Sequence, residues 1–243
     1  MKGTRSMVTF ETTIKDKKVK MYADVPLKNA AGAIFQTLAN ISTKTNIFSE
    51  KFIMSFGWAY FFMSKREDEN KEEFWVVQTT DYKKNPMQDR TDNVTVSLLV
   101  QNMQVEGIKV AGLKPENCTF KDTILVLKKA VNQEDIYLSR TEAANKGDSG
   151  WYFGLLNDPD EDKHTSDEYE KVPTYQLLNF RSEALRVLQM PVGTVAVIHK
   201  NELTALVDKD DKPLKFTTEQ ERQKILAERK KEEEAAAAQK KDN

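Results

Sequence analysis

The chain has 243 residues, 39% of them hydrophobic and 31% charged, with 37 lysines and arginines against 38 aspartates and glutamates. That length suffices for one generous domain or two small ones, while the balanced charge excludes the strongly basic surface of a nucleic-acid-binding protein. No apolar run reaches the length of a membrane span, and the single cysteine, Cys118, excludes a disulfide framework.

The first residues, Met1 to Ser6, include Lys2 and Arg5 but no apolar signal region follows them, so retention in the cytoplasm is expected. Val8, Phe10, Thr12 and Ile14 alternate with more polar residues, and Val19, Met21 and Ala23 repeat the pattern after Lys15-Asp16-Lys17-Lys18. This predicts a hairpin with lysines at its turn. Pro26 is expected to open a helix with Leu27, Ala30, Ile34, Leu38 and Ile41 on one face. Phe52 to Met63, aromatic-rich and continuous, reads as one buried strand, Lys65 to Glu73 as a charged turn, and Phe74-Trp75-Val76-Val77 as the returning strand. After a polar loop, Asp92 is predicted to cap a helix running to about Glu106, with Gly107 as its stop. Gly112 to Asn117, containing Pro115, reads as a linker.

In the second half a strand pair is expected from about Thr123 to Leu138, with Thr123 to Leu127 apolar enough for a central position. Asp148-Ser149 reads as a turn leading into a strand that contains Gly150 and Trp151. The acidic stretch from Asn157 to Glu170 cannot be core. Pro173 and Ser182 look like two helix starts, with Leu177, Ala184, Leu185 and Leu188 inward and Pro191 as terminator. Val195 to Ile198 and Leu203 to Val207 then pair around Lys200-Asn201-Glu202. The expected fold class is α+β: mixed or antiparallel sheets with a few packed helices, in two small domains at 1–113 and 120–214. A charged helical tail occupies 217–243, where Thr218 and Glu221 can form a capping box and only Ile225, Leu226 and Ala227 are apolar anchors. Lacking a core face, the tail is expected to be dispensable for folding.

The residue types give little support to catalysis. Asp158-x-Asp160-x-Asp162 imitates the first ligands of a calcium loop, but Lys163 stands where glycine makes the bend and Tyr169 where glutamate closes the site. His164 and His199 are the two histidines, and with one cysteine they offer no closed zinc set. Ser149 precedes Gly150 outside any Gly-x-Ser-x-Gly elbow, and the nine glycines are scattered singly, without a phosphate loop. No enzyme activity, cofactor or metal is expected.

Three segments taken together resemble a family of bacterial immunity proteins that protect cells from polymorphic toxins. They are the strand pair at 123–138, the Asp148-Ser149-Gly150-Trp151 motif with its acidic sequel, and the run Leu185-Arg186-Val187-Leu188-Gln189-Met190-Pro191-Val192-Gly193-Thr194. The resemblance covers roughly residues 120–214 and implies a binding protein that occludes the active site of one cognate toxin domain. Its expected interface residues are Asp148, Ser149, Trp151, Asp158, Asp160, Glu161, Asp162, Asp167 and Glu168. An acidic loop steers a basic surface toward it, so a nuclease toxin is a natural target. The protein is expected to act as a monomer or weak dimer, without membrane or nucleic acid. Apart from the resemblance, the residues leave open an interaction scaffold and a carboxylate-dependent hydrolase. Trp58, Trp75 and Trp151 read more readily as core or half-buried strand residues than as contacts, given their apolar neighbours, and Trp151, which follows a turn and precedes a charged loop, is the one of the three that best suits an interface.

Overall fold

A computed structural model describes residues 7–24, 27–218, 220–224 and 227. Pro26 and the tail's Ile225-Leu226 pair lie outside these residues, as does everything after residue 227. The fold is α+β and is built on two mixed sheets. It comprises two compact units. The first gathers Met1–Glu106, Asn117–Asp122 and Pro173–Tyr175; the second gathers Gly107–Glu116, Thr123–Val172 and Gln176–Asn243.

In the first unit, β1 (Val8–Ile14) and β2 (Lys17–Ala23) form the expected hairpin. Lys15 and Asp16 make its two-residue turn, both at positive φ (47° and 62°), as a tight hairpin turn that matches the strand twist requires. Val19, Met21 and Ala23 are fully buried, so the alternation read from the sequence is the alternation of the pleat. Helix α1 (Lys28–Ser42) buries Ala31, Ile34, Leu38 and Ser42. Its inward line thus runs one position away from Ala30 and Ile41, which are half-buried. The sheet is completed by β3 (Ile53–Phe56), β4 (Ala59–Glu67), β5 (Glu73–Thr80) and β6 (Arg90–Thr91), in the order β1-β2-β5-β4-β3 with β6 on β5. Strands β2 and β5 run parallel.

Two expectations are corrected here. The stretch 52–63 is two strands, because Gly57 at φ +56° and Trp58 turn the chain and pair Phe56 with Ala59. A β-carbon on Gly57 would overlap the Gln101 side chain, so the turn needs glycine for space as well as for conformation. Helix α2 (Thr95–Ala111) passes through Gly107, which lies close under the Arg186 carbonyl. It ends at Gly112 (φ +68°), where the Leu113 amide reaches back to the Ile108 carbonyl at 3.1 Å and the Gly112 amide to the Lys109 carbonyl at 3.3 Å. Its start is capped by Asn93, whose Oδ1 accepts the Thr95 amide at 3.0 Å. Asp92 accepts a hydrogen bond from the Gln78 side chain instead.

The second unit holds β7 (Thr123–Leu127), β8 (Asp135–Arg140), β9 (Asp148–Leu155), β10 (Tyr169–Pro173) as far as Val172, the single-turn helix α3 (Leu177–Phe180), β11 (Val195–His199) and β12 (Glu202–Val207). The sheet order is β10-β7-β9-β8-β11-β12. Strands β7 and β8 therefore do not pair with each other. Strand β9 lies between them, parallel to β7 and antiparallel to β8. The run after Pro173 forms short 3₁₀ turns and one α turn in place of two helices, yet it buries Leu177, Ala184, Leu185 and Leu188 as expected. The Thr218–Glu221 capping box is present, with the Thr218 amide 2.9 Å from the glutamate and the Glu221 amide 3.3 Å from the threonine hydroxyl. Buried Arg186 donates to the Thr217 carbonyl at 3.2 Å, and Glu183 pairs with both Arg186 and Arg222. The beginning of the tail is thus tied to the body by contacts that periodicity does not reveal.

Candidate functional site

Strand β9 frames the site. Gly150, at φ +73°, lets the strand bulge, and the register with β7 shifts between Thr123 and Leu125. Asp148 Oδ1 accepts the Gly150 amide at 3.2 Å, and Ser149 Oγ accepts the Trp151 amide at 3.2 Å while its hydroxyl donates to the Thr123 carbonyl at 2.7 Å. Asp-Ser-Gly is therefore a bulge inside the strand, whereas the sequence suggested a turn ahead of it. Asp148 also pairs with Lys171 at 2.8 Å. Partial burial works to raise its carboxyl, but the Lys171 ammonium and the Gly150 and Ser149 amides outweigh it and hold the group below its ordinary range.

Ser149 and Trp151 are interior. The indole is 1% exposed and its N–H donates to the Leu188 carbonyl at 3.0 Å. Beside it the buried Arg140 guanidinium, 5.8 Å from the indole centroid, donates to the carbonyls of Ser149, Leu188 and Met190. These groups hold the strand in place and present no surface.

Beyond the strand end, Asn157 takes a left-handed turn (φ 56°) and the chain enters 158–170, which carries seven carboxylates against one lysine. Composition alone suggests a solvated coil. In the fold the loop has a polar interior. The Asp158 side chain is 2% exposed and His164 4% exposed, with His164 Nε2 2.7 Å from Asp158 Oδ2 and Nδ1 3.2 Å from Glu168 Oε1. The Lys129 ammonium also pairs with Asp158 at 3.0 Å, and the Asp160 amide donates to Asp158 Oδ1 at 3.1 Å. Thr165 and Glu168 form a capping box. Underneath runs a row of half-buried tyrosines: Tyr137 meets Tyr152 at 5.6 Å, Tyr152 meets Tyr169 at 6.1 Å, and Tyr169 meets the His164 ring edge-on at 6.1 Å. Tyr137 donates its hydroxyl to Glu161. Burial pushes the Tyr152 hydroxyl up to about 12, so this phenol stays neutral and keeps its donor. Gly154 makes room for the row, since a β-carbon there would come within 2.6 Å of Tyr152 and 2.8 Å of Tyr137.

The clasp has a pH window. The hydrogen bond to Asp158 raises the His164 pKa above 6.5, and the bond from His164 lowers the Asp158 carboxyl to about 2. A raised histidine contributes below its unfolded value and loses that contribution as pH climbs through its folded value. A lowered aspartate contributes above its unfolded value of 3.8 and loses it as pH falls toward 2. Amide exchange within 158–168 is therefore expected to be slowest between pH ~4 and ~6.5 after correction for intrinsic rates, and to quicken on either side. His164→Gln should abolish the alkaline limb; an unchanged profile in that variant would show that the clasp does not order the loop.

Of the nine expected interface residues, Asp160, Glu161, Asp162 and Asp167 are exposed on this loop. Asp158 and Glu168 turn toward His164, Asp148 is held by Lys171, and Ser149 and Trp151 are core. Lys129 and Tyr137 have no sequence signature, because their partners lie 29 and 24 residues away; His164 shares one loop with Asp158 and Glu168, but no periodic pattern marks the three as partners. Among the described residues no group of three or more His, Cys, Asp and Glu is arranged to hold a metal ion. Nor is any described helix long and apolar enough to cross a membrane.

The model of one protein family, described as Imm33-like domain, matches residues 103–209. The match spans a little under half of the chain, and it contains all of β7, β8, β9, β10, β11 and β12 and the acidic loop. This segment is therefore similar to an immunity-protein domain, in the same stretch where the sequence motifs pointed to one. No curated protein and no solved structure matches the chain.

Proposed function

We propose that the chain is an immunity protein whose second unit binds one cognate toxin domain and neutralises it by covering its active site or substrate channel. The match of residues 103–209 to the Imm33-like family carries this reading. The contact residues are Asp160, Glu161, Asp162 and Asp167. Asp158, His164 and Glu168 hold the loop that presents them, and Asp148, Ser149 and Trp151 fix the strand from which it springs. The protein acts by binding, as a monomer or weak dimer in the cytoplasm, and carries out no chemistry of its own. A loop already ordered by its own hydrogen bonds gives up little conformational freedom on docking, which favours slow dissociation. The outward carboxylates suit a basic, substrate-binding surface such as a nuclease presents, and they act chiefly on the encounter rate.

Two measurements test this. Co-expression with a toxin domain encoded at the same locus should rescue growth, and the two proteins should co-purify; a co-encoded toxin domain that neither binds nor is neutralised would overturn the immunity reading. Converting Asp160, Glu161 and Asp162 together to lysine should slow association by about tenfold or more at low salt, with the difference shrinking as salt screens the charges. An unchanged association rate would place the interface elsewhere.

A further inference from the structure

The first unit carries a surface of opposite character. Strand alternation places Tyr60 and Phe62 of β4 on one face of the sheet, with Ile53 paired across from Phe62 and Gln78 on its other side. Phe120 packs edge-on against Tyr60 at 5.2 Å. The Arg90 guanidinium lies 4.1 Å over the Phe62 ring and the Lys121 ammonium 4.5 Å over the Tyr60 ring. The loop at Pro86 and Met87 closes the far side, leaving a cavity of about 220 Å³. Ile53 and Met87, 55% and 53% exposed, are the most exposed large apolar side chains among the described residues and stand together here.

Three observations fix what fits. The volume lies below the roughly 300–1,000 Å³ of small-molecule sites, so one large side chain fills the cleft where a cofactor would not. Its wall of two tyrosine and phenylalanine rings with a third ring edge-on, together with methionine and arginine, has the composition of a protein interface core. Finally, neither Arg90 nor Lys121 forms an ion pair with a carboxylate of the described residues. Arg90 donates to the Glu50 carbonyl at 3.3 Å, and the Asp89 carboxylate beside it accepts the Asn85 amide at 3.0 Å. Two cations thus border an apolar cleft with their charge unmatched, and a ligand that supplies carboxylates on either side of an apolar group complements both.

We propose that this cleft docks an acidic protein segment, inserting one aromatic side chain between Tyr60, Phe62 and Phe120 while its carboxylates pair with Arg90 and Lys121. The inference stands apart from the immunity reading: it concerns the other unit, and its ligand has the charge opposite to that expected at the acidic loop.

The probe is an end-capped peptide of one tryptophan with three glutamates on each side, titrated into the full chain carrying labelled isoleucine and methionine methyl groups. Saturable shifts of the Ile53 and Met87 methyls are expected. Lys121→Glu and Met87→Glu, both at exposed positions, should each weaken binding by about tenfold with an unchanged thermal midpoint. Replacing the tryptophan by alanine, or the glutamates by lysine, should weaken it comparably. The proposal is overturned if the peptide fails to saturate these methyls, if its shifts map to other residues, or if the lysine peptide binds as well. Sedimentation showing a dimer that Lys121→Glu dissolves would assign the cleft to a second copy of this chain. A thymidine decanucleotide displacing the peptide from the same methyls would assign it to single-stranded nucleic acid. Either result would refute the acidic-segment assignment.

Discussion

Trp151→Ala is expected to cost about 3–5 kcal/mol of unfolding free energy, the usual toll for deleting a buried aromatic ring. The side chain is 1% exposed, and its removal empties the space beside Arg140 and takes the 3.0 Å indole donor from the Leu188 carbonyl, leaving it only the longer bond from Arg140 at 3.4 Å. Against a typical domain stability of about 5–15 kcal/mol, that is enough to leave the second unit marginal or unfolded. Trp151→Phe is the milder change: it keeps one aromatic ring but loses the N–H and part of the bicyclic ring, so about 1–3 kcal/mol is expected. Chemical denaturation of the three proteins, followed by tyrosine fluorescence and far-ultraviolet dichroism, measures both. A Trp151→Ala protein of unchanged stability that had lost its partner would instead make Trp151 a contact residue, against its placement in the core.

Gly150→Ala should be nearly as damaging for a different reason. At φ +73° an L-residue is strained, and the added β-carbon would sit 2.1 Å from the Thr141 carbonyl oxygen and 3.4 Å from the Ala143 amide nitrogen. These are backbone atoms, so no rotamer change relieves the overlap. Strain and overpacking together are expected to cost about 2–5 kcal/mol. Gly147 provides the control: it also has positive φ (88°), but nothing lies within 4 Å of its would-be β-carbon, so Gly147→Ala should cost only about 1–2 kcal/mol. Equal losses at the two positions would show that backbone conformation alone, and not the close approach of the 141–143 turn, makes glycine necessary at 150.

The acidic loop shows how far composition reaches. Seven carboxylates in 158–170 identify a stretch that cannot be core, and Asp160, Glu161, Asp162 and Asp167 are indeed exposed. Composition says nothing of the order within it. That order depends on Lys129, 29 residues away from Asp158, and on Tyr137, 24 residues away from Glu161. Charge density read along the chain treats Asp158 and Asp160 alike, although one side chain is 2% exposed and the other 53%.

The sequence by itself determined what is local. Side-chain alternation marked β1 and β2, β11 and β12, the turn residues marked the hairpin at Lys15-Asp16, and Thr218 with Glu221 marked a helix start, because each is written in residues that touch their near neighbours. The α+β class followed from the same patterns. Tertiary structure alone decided which strands meet and where elements stop. Strand β9 inserts between β7 and β8 by pairing with both, a choice made by contacts across the sheet and invisible to periodicity. Gly107 lies within the helix, where its missing side chain leaves room for the Arg186 carbonyl, while Gly112 ends the helix at positive φ, and the sequence placed the stop at the wrong one of the two. The acidic loop was settled on the same terms where Lys129 and Tyr137 reach it from 29 and 24 residues away, whereas His164 meets two carboxylates of its own loop.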